Sequence, residues 1–196
     1  MWLTVITRRI VRRRTGRLPL QSLVYAAMFA ALTAAGAFFA IPISMVPITL
    51  QDLFTTLAGL LLGARVGALS QITYVLVGLA GLPVFAGGKA GLGVLLGPTG
   101  GYLIGFVLGA FTIGKLAELR RHPSVWWLFA SALAGHVVIY GAGITWLSFI
   151  AHISLKKAAI VGLLPFLPGD FLKCILAAIV ARKIKSQWQV RINNEP

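Results

Sequence analysis

Asp170 and Lys173 stand three residues apart in an apolar stretch of a chain that has only four acidic residues among 196. Residues at i and i+3 share a helix face. Ionisable groups inside membrane-length apolar segments are costly to bury and turn towards a cavity or towards each other. A carboxylate accepts hydrogen bonds and an ammonium donates them, so the pair suits a small ligand that offers amide N–H donors and an acidic or carbonyl oxygen. The same residues have a plainer use. After Pro168 and Gly169, Asp170 could cap a helix and favour its positive end, while Lys173 snorkels towards water. Neither group alone signals catalysis.

Other residues could join the pair. Gln51 and Thr49 offer an amide and a hydroxyl, and both also suit a helix start. Tyr140, Trp146 and Phe85 could supply the apolar walls typical of small-molecule sites, although aromatic residues are common near membrane interfaces in any case. Lys89, between Gly88 and Ala90, could meet a carboxylate at a pocket mouth or be a solvated loop lysine. His136 has no Cys or carboxylate near it in sequence and is expected to form no metal site. Cys174 lies in an apolar run and reads as a small buried residue. The stretch before Lys89 is no phosphate-binding loop, because Pro83 and Ala90 occupy positions that need Gly and Ser or Thr. Gly91, Gly93 and Gly97 miss dinucleotide spacing. An intramembrane hydrolase would need an activated nucleophile; no G-x-S-x-G occurs and His136 has no evident serine partner. The chain is therefore not expected to be an enzyme, and it calls for no cofactor.

The elements that must position these residues follow from composition. With 58% hydrophobic and 11% charged residues and a mean hydropathy of +0.89, the chain lies outside the range of soluble domains. Spanning the hydrocarbon core takes roughly 20 apolar residues per helix, so the length suits an all-α integral membrane protein of about six transmembrane helices. The net charge of +14 does not point to nucleic acid, since the bases form short clusters between apolar stretches without interleaved aromatics.

Along the chain we expect a basic head over 1–21 and a six-helix membrane domain over 22–184, followed by a C-terminal tail over 185–196. The first span runs over 22–41 and is too long for a cleaved signal peptide. Thr49 and Asp52 have capping-box spacing, so a second helix is expected over 50–62. After a tight turn over 63–66, a third follows over 67–79; both are short for a full crossing. The Gly- and Pro-rich stretch 81–101 reads as a structured loop, folded against protein or lining a cavity. Further helices are expected over 102–119 and 126–150, and a last one from Asp170 after the break at Pro165, Pro168 and Gly169.

Bases fix the orientation. Arg8, Arg9, Arg12, Arg13, Arg14 and Arg17, then Arg65, then Lys115, Arg120 and Arg121, then Arg182, Lys183, Lys185 and Arg191 fall on one side. Only Lys89, Lys156 and Lys157 fall on the other. Both termini should be cytoplasmic, with three irregular segments converging on the outer side. The first span also carries alanines at four-residue spacing in two registers, Ala26, Ala30, Ala34 and Ala27, Ala31, Ala35. Small residues let helices approach closely in lipid, so this face should receive another helix, either within the fold or from a partner.

These motifs resemble the BioY family, the biotin-specific S components of energy-coupling factor transporters. The resemblance rests on Pro47-Ile-Thr-Leu-Gln51, Gly81-Leu-Pro-Val-Phe-Ala-Gly-Gly88, Gly91-Leu-Gly-Val-Leu-Leu-Gly-Pro-Thr-Gly-Gly-Tyr102, and Pro165-Phe-Leu-Pro-Gly-Asp170 with Lys173, and runs over 23–181. It implies a six-helix S-component fold in the cell membrane, with biotin bound near the outer face beneath the loops after the first and third helices. It implies that Asp170 accepts from the ureido N–H groups and Lys173 donates to a biotin oxygen. It further implies that the alanine face docks a transmembrane coupling subunit, which works with two cytoplasmic ATPases, and that the S component topples in the bilayer to release the vitamin. The Arg-rich head is not required by the family pattern and reads as a topology anchor that touches anionic lipid. An S component for a different vitamin shares the scaffold, but the Asp170 and Lys173 pair argues against it, and a purely structural membrane protein would leave that pair without a use.

Overall fold

The computed structural model describes residues 19–42 and 45–194, with side chains up to residue 187. The arginines at 8–17 lie outside the described residues. The regular structure of the described residues is all helical apart from two isolated bridges. In order it forms α1 (Leu20–Phe38), α2 (Gln51–Leu79), α3 (Leu92–Leu95), α4 (Gly100–Glu118), α5 (Val125–Ile150), α6 (Leu155–Gly162) and α7 (Leu167–Asn194).

Among the described residues, α1, α4 and α5 are each long and apolar enough to cross a membrane, α2 is so only over its summed length, and α6 with α7 adds a fifth if the pair, bent by 59°, counts as one span. α2 is not one rod. Gln51 donates to Tyr74 and Thr55 donates to Gln71 at 3.0 Å, although 23 and 16 residues of straight helix would part these pairs by roughly 34 and 24 Å. The chain folds back at Gly63 (φ 81°, ψ −178°), a conformation that suits glycine. The expected pair of short antiparallel helices is therefore present, with the turn made by one residue and the second limb starting at Ala64 rather than Gly67. Counting the two limbs separately restores the expected total of about six helices.

Three further boundaries differ from expectation. Thr49 and Asp52 form no capping box: α2 begins after Leu50 without a side-chain cap, because the Asp52 carboxylate is held by an ammonium instead. The stretch after Leu79 is irregular as expected but contains the single turn α3, and α4 starts at Gly100. The last helix starts at Leu167, since Pro168 is tolerated in a first turn where its missing N–H is not needed, and it runs through residue 185 without a break.

Small residues bring the helices together. Gly101, Gly105 and Gly109 form a four-residue ladder on α4, where an added Cβ would run into Trp146, Ile139 and the Gly135 carbonyl of α5. The two alanine registers of α1 separate: Ala26 and Ala30 are buried and Ala34 is half-buried against the core, while Ala27, Ala31 and Ala35 are exposed.

One end of the bundle gathers the α2 turn, the end of α4, the start of α5 and the basic part of α7. Glu118 accepts from Ala64 N at 3.1 Å, and Arg120 stacks 4.1 Å from the Trp127 ring. The other end carries the irregular segments: the loop from α1 to α2, pinned by the Ile41–Ile48 bridge, and the loop before α4, pinned by the Phe85–Lys89 bridge.

Candidate functional site

At the loop-rich end a cavity of about 100 Å³ opens between the helices. Three irregular segments and five helices build it, α3 through Val94 alone. Val46, Pro47 and Thr49 come from the first loop and Gln51 and Asp52 from the start of α2. Phe85 and Lys89 come from the second loop, Tyr102 and Phe106 from α4, and His136 and Tyr140 from α5. Phe166 comes from the α6–α7 break, and Asp170 and Lys173 from α7.

The polar groups converge at its floor. Lys173 Nζ donates to Thr49 O at 2.7 Å, to Asp52 Oδ1 and Oδ2 at 2.9 and 3.1 Å, and to Asp170 Oδ1 at 2.8 Å. Tyr140 donates to Asp170 Oδ2. The side chains of Asp52, Asp170 and Lys173 are only 12%, 10% and 12% exposed. Lys173 therefore does not snorkel, and Asp170 spends its carboxylate on Lys173 and Tyr140 rather than on a helix cap. A buried ion pair survives only when its remaining hydrogen-bonding capacity is met. Among the described residues no buried side-chain nitrogen or oxygen lacks a partner.

The second tier is also paired. Thr49 Oγ1 donates to Gln51 Oε1 at 3.0 Å and accepts from Gln51 N at 3.3 Å. Gln51 Nε2 donates to Tyr74, whose hydroxyl donates to Val84 O in the loop at 3.2 Å. The loop that carries Phe85 is thus tied to the pocket floor. Phe85 is buried, packs edge-on to Tyr74 with ring centroids 5.6 Å apart and fills the space beside Gly78 where a Cβ would stand.

Seven of the eight residues singled out from sequence line this cavity: Thr49, Gln51, Phe85, Lys89, Tyr140, Asp170 and Lys173. Trp146 does not. It donates to Gly97 O at 3.0 Å and borders a shallow groove between α4 and α5 with Ile104 and Phe149, because the register of α5 turns it away from Tyr140 onto the glycine ladder.

Two residues escaped the sequence reading. Asp52 passed as a capping partner; its signal was that it is one of four acidic residues and stands at the head of an apolar run. His136 seemed to lack carboxylate or Cys neighbours, and the fold supplies both. Its Nε2 lies 3.6 Å from Asp52 Oδ2, and its Nδ1 faces Ala132 O at 3.0 Å and Cys174 Sγ at 3.4 Å. Asp52, His136 and Asp170 could together ligate a cation, but the Lys173 ammonium already occupies the space between the two carboxylates. The arrangement can offer carboxylate acceptors and one ammonium to a small polar group whose apolar remainder lies against Tyr102, Phe106 and Phe166.

Comparison with known proteins gives concordant results. The family model described as "BioY family" matches residues 10–190. The chain is 46% identical to the biotin transporter BioY of Thermotoga maritima over 166 residues, 85% of this chain and 96% of that protein. It is 39% identical to the biotin transporter BioY of Rhizobium etli, over 84% of this chain and 92% of that one. Among solved structures it is similar to the S-component for biotin from an ECF-type ABC transporter, with a TM-score of 0.78 and 34% identity over 85% of this chain and 92% of the other.

Proposed function

This chain belongs to the BioY family, and from that we propose that it takes up biotin as the substrate-binding S component of an ATP-driven energy-coupling transporter in the cell membrane. It is a transporter protein rather than an enzyme. The observation that carries the reading is the pairing of a buried Asp170–Lys173 floor with apolar and aromatic walls in one cavity. Biotin has the matching halves. Its ureido N–H groups suit the Asp170 carboxylate, its ureido oxygen suits an ammonium, and its fused rings suit Tyr102, Phe106 and Phe166. Lys89, exposed at the mouth, is suited to the carboxylate of the side chain.

The cavity faces outward and both termini face the cytoplasm, since the exposed bases at the α2 turn and the ends of α4 and α7 lie at the opposite end. Residues 22–184 act as one membrane domain, with the flanking 1–21 and 185–196 on the cytoplasmic side. Energy comes from a transmembrane coupling subunit with two cytoplasmic ATPases. The exposed register Ala27, Ala31 and Ala35 is the surface suited to docking that subunit, whereas Ala26, Ala30 and Ala34 face the protein's own core.

The test is equilibrium binding of labelled biotin to the detergent-purified protein, competed with unlabelled biotin, thiamine and riboflavin. Saturable binding displaced only by biotin is expected. Displacement by another vitamin, or no binding by folded protein, would overturn the reading.

A further inference from the structure

An ammonium has three N–H groups, and Lys173 already has three sets of acceptors: the Thr49 carbonyl, the Asp52 carboxylate and Asp170 Oδ1. A ligand oxygen can gain a hydrogen bond from Lys173 only if one of these yields. The two carboxylates differ in kind. Asp170 is the i, i+3 neighbour on α7 and is also held by Tyr140. Asp52 comes from α2, 121 residues away in sequence, and takes Lys173 through both its oxygens.

We propose that Asp52 is a positioning residue for biotin capture: by sharing the Lys173 ammonium it frees Asp170 to accept from the ligand. The proposal rests on the biotin reading above. With two carboxylates present, the attraction of Lys173 for Asp170 is divided. Lys173 can then turn from Asp170 to a ligand oxygen without leaving its own charge unpaired, because Asp52 and Thr49 O still hold it. Without the Asp52 charge, Lys173 and Asp170 become a one-to-one buried pair. Ligand N–H groups must then compete with the full attraction of an ammonium in a poorly solvated site. His136 borders the same cluster, with its Nε2 3.6 Å from Asp52 Oδ2.

The experiment compares the parent chain with Asp52→Asn, Asp52→Glu, Lys173→Met and the double variant, by biotin binding and by thermal unfolding of the ligand-free protein. Asp52→Asn is expected to weaken biotin about tenfold with the number of binding sites unchanged, and Asp52→Glu, which keeps the charge, to stay within about threefold of the parent. In Lys173→Met two buried carboxylates face each other without their shared ammonium, with only the His136 imidazole beside Asp52. Adding Asp52→Asn there should raise Tm by roughly 2–4 °C, so that one substitution harms the parent's binding yet relieves the variant. A packing role would give no such reversal. Asp52→Asn binding within about twofold of the parent, or no rise in Tm in the Lys173→Met background, overturns the proposal. No biotin binding by the parent rejects the biotin reading itself; the thermal comparison needs no ligand and still decides whether the two carboxylates share the ammonium.

Discussion

At the hairpin end of the bundle, Glu118 accepts from the backbone N–H of Ala64 and its carboxylate fills the space where a Cβ on Gly63 would stand. At the cavity end, Asp52 and Asp170 divide one ammonium and border open volume. Both ends bring carboxylates from one helix against another element. At the first, the partner is fixed backbone and the contact closes a turn. At the second, the partner is a side chain that can change allegiance, and the walls combine loops with helix faces. A charged contact whose partner is fixed backbone is thus suited to stabilising the fold, and one whose partner can move is suited to exchanging it for a ligand.

The difference predicts that substitutions at the two ends trade effects. Asp170→Ala should weaken biotin binding about thirtyfold or more, since truncating one partner of a buried charge pair costs about 2–5 kcal/mol, while a cooperative thermal transition persists. Unchanged affinity in a folded variant would remove Asp170 from the site. Gly63→Ala should do the reverse. A side chain there meets both a left-handed backbone and the Glu118 carboxylate, and a loss of roughly 1–3 kcal/mol is expected from the strain alone. A fall in Tm with unchanged biotin affinity would support the comparison; lost affinity in the folded fraction would break it.

Smaller effects sharpen it. Ala31→Leu, on the exposed face of α1, should leave biotin binding intact and reduce co-purification with the coupling subunit by severalfold. Ala30→Leu, on the buried face, should cost about 1–3 kcal/mol by overpacking, read as a lower Tm. Equal co-purification of the Ala31→Leu protein and the parent would move the docking surface elsewhere. Tyr140→Phe removes one hydrogen bond to Asp170 and should weaken biotin about three- to tenfold, in line with about 1 kcal/mol for a single bond. Trp146→Phe, off the cavity, should leave affinity unchanged within about twofold.

Most of the site was legible because rarity is a local property. Four acids in a strongly apolar chain drew notice to Asp170, and the Gly- and Pro-rich stretch before α4 could not be regular helix. Asp52 escaped because its spacing from Thr49 also satisfies a local rule, and nothing within several residues revealed the competing partner. His136 escaped for the same reason, since its carboxylate and thiol neighbours come from α2 and α7. Trp146 went the other way: its type and neighbourhood suited a pocket wall, but helix rotation placed it on the glycine ladder.

By itself the sequence determined that this chain lives in a membrane, roughly how many helices it has, which end carries the bases and where regular structure must stop. These follow from hydropathy, charge and backbone propensity summed over short windows. Tertiary structure alone decided which alanine register of α1 faces inward, that the two limbs of α2 close on a single glycine, and that Lys173 answers to two carboxylates. Each of those depends on the rotation of one helix against another, and that rotation is set by packing between residues far apart in the chain.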